Sequence, residues 1–77
     1  PASPVQLAEV LDRLEAWLDA DDARAGRCVA EQAALLAAAA PTHFRALQAA
    51  VEQFDYEAAL QLLPAVRAQA LTQENRP

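Results

Sequence analysis

Lysine and methionine are missing from this 77-residue chain, serine occurs only at Ser3, and glycine, cysteine and histidine occur once each. Each shortage removes a class of chemistry. With no serine beyond Ser3, a serine-based acyl-transfer triad is excluded by count. Cys28, being alone, rules out an internal disulfide and a thiolate metal site, and suits a reducing compartment. A single glycine leaves few places for tight hairpin turns or phosphate-cradling loops. Six arginines stand against eleven acidic residues, for a net charge of -5. Nucleic acid and anionic membrane are therefore poor partners, since their affinity comes mostly from clustered positive charge. No run of about eighteen uncharged apolar residues is present, and no basic region precedes an apolar one at the N-terminus, so neither membrane insertion nor secretion of this piece is expected.

What remains is rich in helix formers. Apolar residues make up 55% of the chain and aromatics only 5%, and the apolar share is dominated by alanine and leucine, which lose least on entering a helix. The expected class is all-α, as one domain over residues 1–77, near the lower size at which a hydrophobic core holds a fold unaided.

In chain order, Ser3-Pro4-Val5-Gln6 reads as a helix start, with Ser3 as cap, Pro4 at the first helical position and Gln6 completing a capping box. Leu7, Val10, Leu11, Leu14, Trp17 and Leu18 then recur at helical spacing, which predicts a helix over about 4–18. Asp19-Ala20-Asp21-Asp22 interrupts the pattern, and Asp22 is the expected cap of a second helix over 22–39. Pro41 ends that helix. A third helix over 42–53 is expected to carry Phe44, Leu47, Ala50 or Val51 and Phe54 on its apolar side.

Asp55 reads as the cap of a fourth helix over 56–71, with Glu57 in its first turn, where the helix dipole favours an anion. Pro64 within it predicts a kink. Residues 72–77 read as a flexible tail, and the polar, proline-containing ends suit a piece of a larger chain.

The two halves align with an offset of 33, which lays Leu11, Leu14, Leu18, Asp22 and Val29 on Phe44, Leu47, Val51, Asp55 and Leu62. Each half reads as helix, aspartate corner, helix. Two such antiparallel hairpins covering each other's apolar faces predict a small four-helix bundle, the last helix kinked at Pro64.

Candidate chemistry is sparse. His43, the sole histidine, is the one candidate phosphoacceptor. A histidine phosphotransfer domain is also a small acidic helical bundle, but carries its histidine mid-helix with a lysine and a glycine close behind, whereas Phe44-Arg45-Ala46-Leu47 follows here. Asp19, Asp21 and Asp22 lack the glycine and terminal glutamate of a calcium loop and read as caps at a solvated corner. Cys28 reads as a small buried hydrophobe. The four aromatics, Trp17, Phe44, Phe54 and Tyr56, read as core, with Trp17 at the stripe's edge as a candidate partner contact. No catalytic residue, cofactor site or metal site is expected.

The corner Phe54-Asp55-Tyr56-Glu57-Ala58-Ala59-Leu60, together with Leu11-Asp12-Arg13-Leu14-Glu15-Ala16-Trp17-Leu18 and Asp21-Asp22-Ala23-Arg24-Ala25, resembles a small helical module found at the C-terminus of bacterial hybrid sensor histidine kinases and related two-component proteins. The similarity spans about residues 7–63. It implies a non-catalytic interaction or regulatory module of a phosphorelay protein, docking to a kinase or receiver domain or pairing as a homodimer. It also implies a cytoplasmic location, alone or within a larger membrane-anchored sensor. Two alternatives stand beside it: a divergent phosphotransfer domain using His43, and a helical-hairpin scaffold of the tetratricopeptide type, whose repeat length is near the offset of 33.

Overall fold

The computed structural model describes the backbone of residues 4–74 and the side chains of residues 5–70. Five helices follow in order: α1 (Pro4–Asp19), α2 (Arg24–Glu31), α3 (Ala33–Ala39), α4 (Pro41–Glu52) and α5 (Tyr56–Glu74). No strand occurs among the described residues, in keeping with the expected all-α class. Ser3, the expected first cap, lies outside the described residues.

Both aspartate corners stop the preceding helix by the same device. At the end of α1, Asp21 takes a left-handed backbone conformation with φ of 53°. Its N–H donates to the Leu18 carbonyl at 3.2 Å and the Asp22 N–H to the Trp17 carbonyl at 2.8 Å. This pair of bonds is a Schellman motif, which satisfies carbonyls that a helix end leaves without partners. At the end of α4, Phe54 takes φ of 60°. The Phe54 N–H donates to Val51 at 3.0 Å and the Asp55 N–H to Ala50 at 2.8 Å.

Phe54 therefore does not belong to the apolar side of the third helix, as its spacing suggested. The motif ends α4 at Glu52, and the ring is 77% exposed.

The expected helix over 22–39 is broken at Gln32, whose φ of -103° and ψ of 17° depart from helical values. Neither glycine nor proline marks that site. Packing supplies the reason: α2 lies against α1 and α4, whereas α3 lies against α4 and α5. The turn at Gln32 redirects the apolar stripe from one set of neighbours to the other. Five of the seven residues of α3 are alanine, and such small side chains let neighbouring backbones come close.

Ala40 joins α3 to α4, with φ of -136° and ψ of 62°, outside the helical region that a following proline disfavours. It has no capping side chain of its own. Gln69 on α5 compensates: its Oε1 accepts from the Thr42 N–H at 3.2 Å, and its Nε2 donates to Thr42 Oγ1 at 2.9 Å. A helix start that lacks a local cap is thus capped from another helix.

α5 is continuous through Pro64 and is not split there. Pro64 is exposed, so the side on which it interrupts the hydrogen-bond ladder is one that water reaches. The helix also runs into the stretch expected as tail. Residues 72–74 are helical, because nothing between Ala65 and Glu74 is a glycine or proline that would stop it; residues 75–77 lie outside the described residues.

The core is wholly apolar. Leu14, Leu18, Leu36, Leu47, Leu63 and Val66 are its largest fully buried side chains, and no polar or charged residue is buried with them among the described residues. α1 packs on α2 and α5, and α4 packs on α2, α3 and α5. Arg67 ties α5 to α1 across the surface, its Nη2 donating to Asp12 Oδ1 at 2.9 Å and Glu15 Oε1 at 2.8 Å. The dimensions are 37 × 19 × 18 Å.

Candidate functional site

Phe54 is where the chain departs furthest from what helix physics favours. A residue with a Cβ pays about 1–2 kcal/mol for left-handed backbone, which is why glycine usually holds this position. A large apolar ring in water adds to that cost, offset in small part by a tilted contact with the Tyr56 ring at 6.4 Å between centroids. The ring borders a groove of about 170 Å³ between α2 and α4, lined by Gly26, Val29, Ala30, Gln48, Val51 and Glu52. Gly26 leaves its floor open: a Cβ built there would meet only Val51 Cγ1, at 3.8 Å. An exposed aromatic knob beside a mostly apolar hollow is chemistry suited to protein contact.

The other flank of α2, facing α1, has a different character. Three arginines, Arg13, Arg24 and Arg27, line a second cleft of about 170 Å³, with Trp17 and Cys28 among its walls and Glu31 also present. The Arg24 guanidinium lies 5.5 Å from the centre of the Trp17 ring. Its Nε and Nη2 also donate to Asp22 Oδ2, at 3.0 and 2.6 Å. Hydrogen bonds from the Arg24 side chain, and then from its backbone N–H, hold the Asp22 carboxyl below its ordinary value. Burial pushes the Cys28 thiol above its ordinary value, Glu31 adds to the rise, and Arg13 opposes it.

The residues singled out by sequence fall in separate places. Asp55 caps α5, its Oδ1 accepting from the Ala58 N–H at 3.2 Å. Asp22, the expected cap, sits one residue before the N-cap position of α2, which Ala23 holds without a side-chain cap bond, and accepts from the Arg24 N–H at 2.9 Å. Trp17 is half-buried and packs against the core. His43 is half-buried in the first turn of α4 and lines neither cleft. Among the described residues, no group of three histidine, cysteine or acidic side chains is placed to hold a metal, and no helix is long and apolar enough to cross a membrane.

Sequence reasoning missed Phe54 and the gathering of arginines. The first was within reach, because the offset of 33 lays Phe54 on Asp21, a corner residue. The second depends on how α1 and α2 face each other, which spacing does not encode. No protein-family model, curated protein or solved structure matches the chain.

Proposed function

We propose that the chain is a non-catalytic protein-interaction module, built as a four-helix bundle of two antiparallel hairpins with α5 bent at Pro64. It acts as a regulatory element of a bacterial two-component signalling protein in the cytoplasm. The observation that carries the interaction reading is Phe54, 77% exposed on left-handed backbone beside an apolar groove. Exposed aromatics next to a hollow are the kind of residue that dominates binding energy at interfaces. The Schellman hydrogen bonds hold the Phe54 backbone in place, so little ordering remains for a partner to impose. The signalling context rests on the resemblance of the Phe54–Leu60 corner, and the partner is a kinase domain, a receiver domain or a second copy.

The repeated corner favours a second reading, a helical-hairpin scaffold, since recurrence of one supersecondary unit is how such scaffolds are built.

Purified kinase and receiver domains from the same organism, and the chain itself, are titrated against wild type and Phe54→Ser. One of them binds wild type, and Phe54→Ser weakens that binding about tenfold or more with helical content unchanged. Equal binding by both proteins ends the reading. Phosphoryl uptake from a phosphorylated receiver or kinase domain, abolished by His43→Ala, would replace it with phosphotransfer.

A further inference from the structure

In a chain of net charge -5, three of six arginines border one cleft. They are not equivalent. Arg24 is spoken for, paired with Asp22 and laid over the Trp17 ring. Arg13 and Arg27 make no ion pair among the described residues, where the pairs formed are Arg24–Asp22, Arg67–Asp12 and Arg67–Glu15. Glu31 is the one carboxylate lining the cleft, so two unpaired guanidiniums face a single anion there. A guanidinium presents a planar fork of donors that matches a carboxylate.

The rest of the lining is Val10, Cys28, Gln32 and the half-buried Trp17, whose ring the Arg24 guanidinium partly covers. At about 170 Å³ the cleft is smaller than the roughly 300–1,000 Å³ of pockets that enclose small molecules, and suits one inserted side chain.

We infer that the α1–α2 cleft receives an aspartate or glutamate side chain from an acidic segment of a protein partner, its carboxylate taken by Arg13 and Arg27 beside Trp17. The inference rests on the interaction-module reading and names the chemistry of the partner. It uses the flank of α2 that faces away from the Phe54 groove.

The test uses an end-capped hexaglutamate peptide, titrated into the isotope-labelled chain while the indole N–H of Trp17 and the arginine Nε–H signals are followed by NMR. Expected is a saturable shift of the Trp17 signal. Arg13→Gln and Arg27→Gln each weaken it about two- to fivefold, and the double substitution abolishes it. Arg45→Gln, outside the cleft, leaves it unchanged, and so does Phe54→Ser, which separates failure at this cleft from failure of the reading built on Phe54.

A Trp17 signal that does not move, or that moves equally in the double variant, overturns the inference. So does inorganic phosphate at matched ionic strength reproducing the shift as strongly as the peptide, which would make this a free-anion site. A concentration-dependent shift without peptide would also overturn it, by giving the cleft to a second copy.

Discussion

The Asp21–Asp22 and Phe54–Asp55 corners take the same backbone route with different side chains, and they differ again in the turn that follows. After Asp22 the chain begins with a tight turn: the Ala25 N–H donates to the Asp22 carbonyl, and Gly26 to Ala23. After Asp55 it begins with a full α-turn, the Ala59 N–H donating to the Asp55 carbonyl. A three-residue turn advances the helix face by one residue relative to an α-turn. Before the corners, buried Leu14 and Leu18 match buried Leu47 and Val51 at the offset of 33. After them, the buried partners of Ala25 and Val29 are Ala59 and Leu63, one residue later than that offset gives. Two halves can thus share a corner and still differ in register, because the capping arrangement decides where the next apolar stripe begins.

The largest test of that likeness lies in the core. Leu14 and Leu47 are both 0% exposed and correspond at the offset. Leu14→Ala and Leu47→Ala should each cost about 2–5 kcal/mol in urea unfolding followed by circular dichroism, much of the stability of a domain this size. A gap of more than about 2 kcal/mol between them would mean that the halves are alike in sequence but not in packing.

The caps come next. Asp55→Ala should cost about 1 kcal/mol, since the Ala58 N–H loses its acceptor. For Asp22 the test is pH. Its carboxyl is held below the ordinary value of 3.8 by Arg24, so the stabilisation is fully present above about 3.8 and is lost as pH falls through the depressed folded value. The stability difference between wild type and Asp22→Asn should therefore be constant near neutrality and shrink only in strong acid. A difference already vanishing at pH 6 would place the coupling elsewhere.

The smallest effects concern the left-handed residues. Phe54→Gly should raise stability by about 0.5–1 kcal/mol, and Asp21→Gly by less, because aspartate tolerates that region better than phenylalanine. If Phe54→Gly instead destabilises the chain, the ring contributes to the fold more than its exposure implies.

Much of the helical content was legible: the alanine-leucine composition, the three- and four-residue recurrence of Leu7 to Leu18, and the aspartates before each second helix all act locally. The break at Gln32 was not, because no residue there forbids a helix and the cause is a change of packing partner. Phe54 was misplaced for a related reason. Its spacing from Leu47 and Val51 fits a helix face, and only the competing hydrogen bonds of the corner remove it. Pro64 shows the reverse: a residue that breaks helices in isolation is accommodated on a face open to water.

Cys28 gives this chain a built-in clock. The thiol is 8% exposed, forms part of the wall of the α1–α2 cleft and is held above its ordinary pKa, so a small alkylating reagent at neutral pH reacts slowly, through that cleft or when α2 opens. No second cysteine competes for the label. The alkylation rate therefore reports access to that one position, and a molecule that fills the α1–α2 cleft or holds α2 closed should be visible as a slowing of it.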